Sequence, residues 1–159
     1  GVVGYKNAGK TGLTERLVGE FTARGVTVST LKHAHHAFDI DQPGKDSYRH
    51  RAAGARQVLV GSGTRWALMT ELRDAPEPDL QELLALVAPV DIILVEGFKR
   101  SRHPKIETHR AEANQPLIAL DDPTIRAIAS NTPLEIDRPV FDLDDTKSIA
   151  DFILSETAT

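Results

Sequence analysis

Apolar runs of strand length alternate along this chain with segments that repeat at helical spacing, the pattern of an α/β protein with a mostly parallel central sheet. The first run, "GVV", is short and leads into a glycine-rich stretch. Leu13, Leu17, Val18 and Phe21 then recur at helical spacing, which predicts a helix that Gly25 stops. "VTVSTLK" reads as the second strand, and a polar, histidine-bearing stretch follows from His33 to Lys45. Asp46 or Ser47 is placed to cap a helix running to about Ala55. "RQVLVGS" and "TRWALMTE" read as two more strands, the second alternating as an edge or hairpin strand does, so a β-hairpin or edge extension is expected near residues 58–72. Beyond the proline-rich "APEPD", a helix is expected from about Asp79 to Val87. "DIILVEG" is almost wholly apolar and belongs in the sheet centre, buried on both faces. "PKIETH", "PLIALDD" and "RPVFDLDD" read as further strands, and Thr146 to Leu154 as a closing helix.

At 159 residues, with no repeat and no linker, the chain reads as one domain spanning 1–159. It is 40% hydrophobic and 26% charged, and no apolar run approaches the roughly 18 residues that a membrane helix needs. With no basic-then-apolar leader before the first strand, the expectation is a cytoplasmic protein that does not touch membranes, with a few residues lost before Gly1. Cysteine is absent, which excludes disulfides and thiolate metal sites. A net charge of −4 argues against broad nucleic-acid binding. The charge is segregated, however: Lys99, Arg100, Arg102, Lys105 and Arg110 stand against Glu107 alone in residues 97–110, so an anionic partner is expected there.

Gly4, Gly9, Lys10 and Thr11 have the spacing of a phosphate-binding loop between a strand and a helix. The backbone of Gly4, Asn7, Ala8, Gly9 and Gly12 would cradle phosphate oxygens at the positive end of a helix dipole, with Gly9 allowing close approach. Lys10 supplies charge, and Thr11 can place a hydroxyl on magnesium. Glu96, at the end of "DIILVEG", is the expected second anchor for that ion, and Gly97 would let the chain turn close to the outer phosphate. Lys10 and Glu96 are thus the catalytic candidates.

The stretch "KHAHHAFDIDQPGKDSYRHRAAGA" has two readings. Its His33, His35 and His36 with Asp39 and Asp41 are residue types that ligate zinc or nickel, though at no closed-site spacing. Alternatively, the segment lies over a nucleotide, Asp39 or Asp41 touching magnesium through water while Lys45, Arg49 and Arg51 meet an anion. These basic residues and Lys99, Arg100 and Arg102 follow strand ends, where ligands of open α/β sheets bind, so the two groups are expected to converge on one anion.

"GYKNAGKT", the histidine-bearing stretch, "LVEGFK" and "PKIE" together resemble, in order over residues 4–107, the molybdopterin-guanine dinucleotide biosynthesis protein B family. The resemblance implies a three-layer P-loop NTPase fold and a GTP-binding protein with weak intrinsic hydrolysis. It also implies a homodimer and a partner nucleotidyltransferase that joins GMP to molybdopterin. Carried over by position, Gly9, Lys10 and Thr11 bind phosphate, Glu96 serves Mg2+, and "GFKRSRHPKIE", with Arg100 and Arg102, forms a loop near substrate or partner. No Asn/Thr-Lys-x-Asp motif selects guanine, which leaves Asp121 or Asp122 as candidates for the base. No arginine finger or water-positioning glutamine stands out in cis, so hydrolysis should be slow, with Arg100 and Arg102 as the arginines to act. A small-molecule kinase and a metal-delivery protein are the rival readings. The apolar alternation of Trp66, Leu68 and Thr70 against Ala67 and Met69 is expected to be buried by a second copy.

Overall fold

Lys10–Ala23 forms the first helix, α1, because Leu13, Leu17 and Phe21 share one face and all three are fully buried. Each contributes about 2–3 kcal/mol at most through that burial. The helix ends in a Schellman turn: Val26 N donates to Phe21 O and Gly25 N to Thr22 O, with Gly25 at φ +77. The computed structural model that supplies these coordinates describes residues 1–34 and 38–157, so the expectations placed on His35 and His36 lie outside the described residues.

Two compact units make up the chain, Gly1–His33 with Leu83–Thr159, and Ala34–Glu82. The first holds a six-stranded sheet built from β1 (Val2–Val3), β2 (Val28–Lys32), β5 (Ile92–Glu96), β6 (Lys105–His109), β7 (Ile125–Ser130) and β8 (Val140–Asp142). The order is β2-β5-β1-β6-β7-β8, and every pairing among these strands is parallel. This is the mostly parallel sheet expected. "DIILVEG" is an interior strand, buried as expected, but it stands second from the edge; β1 and β6 occupy the centre.

The sheet is buried on both faces. On one, Val2, Leu94, Ile106 and Ala129 pack with Leu13, Leu17 and Phe21 of α1 and with Ile149 and Ala150 of α4 (Thr146–Thr157). On the other, Val3, Ile125 and Ile128 pack with Leu117, Ile118, Leu134 and Ile136. Two features differ from the sequence expectation there. "PLIALDD" is no strand: Ile118–Leu120 is a single 3-10 turn whose first amides, Ile118 N and Ala119 N, donate to the buried carboxylate of Glu107 at 2.9 and 2.8 Å. The strand is β7, "IRAIAS", just after it.

In the second unit β3 (Gln57–Gly61) and β4 (Trp66–Thr70) form an antiparallel hairpin, as the alternation of "TRWALMTE" predicts. Helix α2 (Asp46–Ala52) precedes it. Lys45, rather than Asp46 or Ser47, is its capping residue; Asp46 lies in the first turn, where a carboxylate opposes the positive end of the dipole. Helix α3 (Leu80–Leu84) opens with a reciprocal cap, Glu82 N on Asp79 Oδ1 and Asp79 N on Glu82 Oε2. Among the described residues no helix is long and apolar enough to cross a membrane.

Candidate functional site: a phosphate-binding loop at the carboxyl end of the sheet

The chain leaves β1 through backbone that side chains resist. Gly4 has φ +152, Asn7 φ +65 and Gly9 φ +99, and a Cβ at Gly4 would lie 2.5 Å from Thr108 Oγ1 and 2.6 Å from Thr108 O. Gly9 is the capping residue of α1 and has no side-chain cap, so the first amides of the helix face the hollow of the loop. Ala8 is buried beneath. Loop residues 6, 7 and 9–12, with Glu96 and Arg110, line a cleft of about 600 Å³.

Three cations crowd this loop. Lys10 Nζ donates to Tyr5 O at 2.8 Å, Lys99 Nζ stands 4.6 Å from the centre of the Tyr5 ring, and Lys32 Nζ lies 3.1 Å from Glu96 Oε1. Burial, then the charges of Lys99 and Lys32, hold Lys10 below the ordinary lysine range against the opposing pull of Glu96. An anion in the cleft would relieve that crowding.

Glu96 is brought to the loop by strand pairing, Val2 opposite Glu96, and is 8% exposed. Its Oε1 also accepts Thr11 Oγ1 at 3.0 Å. A hydroxyl and a carboxylate oxygen so placed are hard donors of the type magnesium takes, so these residues fit that ion. Gly97 follows at φ +95, and a Cβ there would meet His33 Cβ at 3.0 Å; its small size admits the chain leaving β2.

The structure therefore brings Gly9, Lys10, Thr11, Gly12, Asn7 and Glu96 together. Other expectations are corrected. Arg51 is the centre of an acidic cluster, bonded to both oxygens of Asp39 (3.0 and 2.8 Å), to Asp41 Oδ2 (3.1 Å) and to Glu71 Oε1 (2.8 Å). Its charge is spent there, so Arg51 is not a substrate cation. Asp41 Oδ1 is taken by Ser47 Oγ and Gln42 N, so the metal role given to Asp39 and Asp41 loses its donor oxygens to protein partners. Among the described residues no cluster of metal-ligating side chains replaces them. Asp122 pairs with Lys105 at 3.1 Å, at the amino ends of β6 and β7. The phosphate loop leaves the carboxyl end of β1, so Asp121 and Asp122 are at the wrong end of a parallel sheet to meet a base.

Arg100 and Arg102 are exposed and do not line the cleft. By residue 103 the loop has returned to the start of β1, where His103 packs on Gly1. Two other cations belong to the site instead: Lys32, visible only once β2 is known to border β5, and, of the basic run expected to meet an anion, Arg110, just past β6.

The model of the molybdopterin guanine dinucleotide synthesis protein B family, MobB, matches residues 1–131. The chain belongs to this family. A Haemophilus influenzae relative, the molybdopterin-guanine dinucleotide biosynthesis adapter protein, is 44% identical over 96% of this chain and 85% of its own. The Escherichia coli protein of the same name is 42% identical over 94% and 87%. Among solved structures, a MobB protein homolog from Bacillus stearothermophilus superposes with a TM-score of 0.73 at 32% identity, covering 99% of this chain and 95% of its own. The α/β fold, its parallel sheet and its flanking helices are those of MobB structures. The match spans every residue of the cleft.

Proposed function

We propose that this chain is a GTP-binding accessory protein of molybdenum-cofactor biosynthesis, acting in the cytoplasm as a homodimer beside the nucleotidyltransferase that joins GMP to molybdopterin. The adapter role is supported by the names its relatives carry over most of their length. One observation carries the nucleotide reading: Thr11 Oγ1 meets Glu96 Oε1 at 3.0 Å at the mouth of a glycine loop that also presents Lys10. A strand-end carboxylate and a loop hydroxyl converging beside a lysine form the arrangement that phosphate-bound magnesium uses.

In this reading the amides after Gly9 hold the inner phosphate oxygens, and Lys10 gives up its bond to Tyr5 O for the outer ones. Thr11 and Glu96 would hold the ion, which when bound neutralises charge on the outer phosphates. Lys32, 3.1 Å from Glu96 Oε1, would then compete with the ion for that oxygen. Among the described residues no glutamine lines the cleft to orient a water, which fits slow hydrolysis and a role in presenting nucleotide or partner rather than rapid turnover.

Calorimetric titration with GTP and ATP tests this. GTP should bind the more tightly, Lys10→Ala should weaken it by roughly two orders of magnitude, and the thermal unfolding of that variant should match the parent. The parent with GTP and Mg2+ should also raise dinucleotide formation by the nucleotidyltransferase, and Lys10→Ala should not. A Lys10→Ala protein that binds GTP like the parent overturns the reading.

A further inference from the structure

Thr108 Oγ1 donates to Val3 O at 3.1 Å in the buried interior, so the side chains on that face of β6 point towards the phosphate loop. Arg110 lies two residues on and still has extended backbone, φ −130 and ψ 130, so the alternation of a strand sends its side chain the same way. A Cβ on Gly9 would be 3.3 Å from Arg110 Nε, and the side chain lines the cleft. The backbone that carries it is anchored. Ala111 N donates to Asn131 Oδ1 at 3.0 Å, Ala113 N to Arg110 O at 3.0 Å, and Asn131 Nδ2 to both oxygens of Glu112 at 3.0 and 2.8 Å. Glu112, the nearest carboxylate in sequence, is hydrogen-bonded to Asn131 and reaches Arg110 only through its charge. Among the described residues the half-buried guanidinium of Arg110 has neither an ion pair nor a hydrogen bond. A half-buried guanidinium whose donors meet no protein acceptor keeps them free for an anion in the cleft.

We infer that Arg110 is a nucleotide-binding residue, placed to contact the inner phosphates shared by di- and triphosphates. This rests on the nucleotide reading above. In the nucleotide reading Thr11 and Glu96 would hold the ion of the outer phosphate, and their contact lies on the β5 side of the loop. Arg110 comes from β6, on the opposite side of β1. A phosphate chain that runs over the start of α1 from the β5 side thus reaches Arg110 with its inner end. Arg110 is a ground-state anchor here, in contrast to an arginine finger, which addresses the transferred phosphate.

GTP and GDP titrations of the parent, Arg110→Ala, Arg110→Lys and Lys10→Ala, with and without Mg2+, separate the cases. Arg110→Ala should weaken GTP and GDP alike, by roughly 10- to 100-fold, with or without Mg2+, at unchanged melting temperature. Arg110→Lys should restore part of the loss, because a lysine keeps the charge but not the fork. Losses confined to GTP, or to Mg2+-containing samples, would overturn the inner-phosphate assignment. Should Lys10→Ala lose nucleotide while Arg110→Ala binds like the parent, this inference alone fails. Should Lys10→Ala bind like the parent, the nucleotide reading itself fails and takes this one with it.

Discussion

Thr11 and Glu96 are 85 residues apart in sequence, yet their side chains share a hydrogen bond of 3.0 Å. If they form one metal seat, Thr11→Ala and Glu96→Gln should each weaken GTP binding in Mg2+ far more than GTP binding in a chelator, a difference that titration in the two buffers measures. Equal losses in both buffers would reduce the pair to a structural contact. Much of this seat was legible beforehand, because the spacing of Gly4, Gly9, Lys10 and Thr11 is itself a geometric statement and Glu96 ends the most apolar strand. The place of Lys32 beside Glu96, and the separation of Arg110 from its basic neighbours, were not, since both depend on which strands flank β5 and β1, and strand order is set by long-range packing. The basic run of residues 97–110 misled for a related reason. Lys105 is 2% exposed and neutralised by Asp122, Lys99 lies over Tyr5, and Arg110 is in the cleft, so side chains adjacent in sequence do not make one patch.

At the scale of elements, Arg51 ties α2 to the strand end at Glu71 and to the loop at Asp39 and Asp41. The guanidinium of Arg51, with the Asp41 amide, holds the Asp39 carboxyl below its ordinary value. Burial would raise Asp41, but bonds from Ser47, Gln42 N and Arg51 together outweigh it and lower that carboxyl too. A depressed folded pKa means stability that is present above the unfolded value of 3.8 and lost as pH falls through the folded one, so this cluster should lose its contribution from about pH 4 downwards. Arg51→Ala should lower the melting temperature at neutral pH by several degrees and flatten its decline in that acid window. A variant whose acid decline parallels the parent's would show that these carboxylates do not govern it. Nothing local marks Arg51 for this role; its sequence neighbours make it look like a solvated base. The strand error has the same root. "PLIALDD" is apolar enough for a strand, but the buried Glu107 captures its amides from eleven and twelve residues away and winds a turn, while β7 hides in "IRAIAS", where alanines weaken the strand signal.

For the molecule as a whole, the polar stretch after His33 and the proline-rich "APEPD" before Leu83 read equally well as loops inside one domain, so two compact units were not legible in the sequence. The hairpin in the second unit could, and its surface bears on assembly. Leu59 pairs with Leu68 and Gly61 with Trp66, which places these side chains on one face, while Val58, on the other, is 7% exposed. Leu59, Trp66 and Leu68 are 64%, 69% and 44% exposed, and Leu59 and Trp66 border a shallow apolar hollow with Gly61 and Ser62. A two-stranded ribbon has little stability of its own, and large apolar side chains on a face left to water invite association. If a second copy covers this face, the parent should sediment at twice the chain mass at micromolar concentration. Trp66→Ser with Leu68→Ser should then sediment as a monomer, because the apolar anchors of the interface are gone while the inward-facing Val58 is untouched. A parent that sediments as a monomer, or a double variant that remains a dimer, would move the interface away from this face. The phosphate loop gives an internal control, since none of its residues is on the hairpin: GTP affinity per chain that survives in the double variant shows that assembly, rather than folding, was lost.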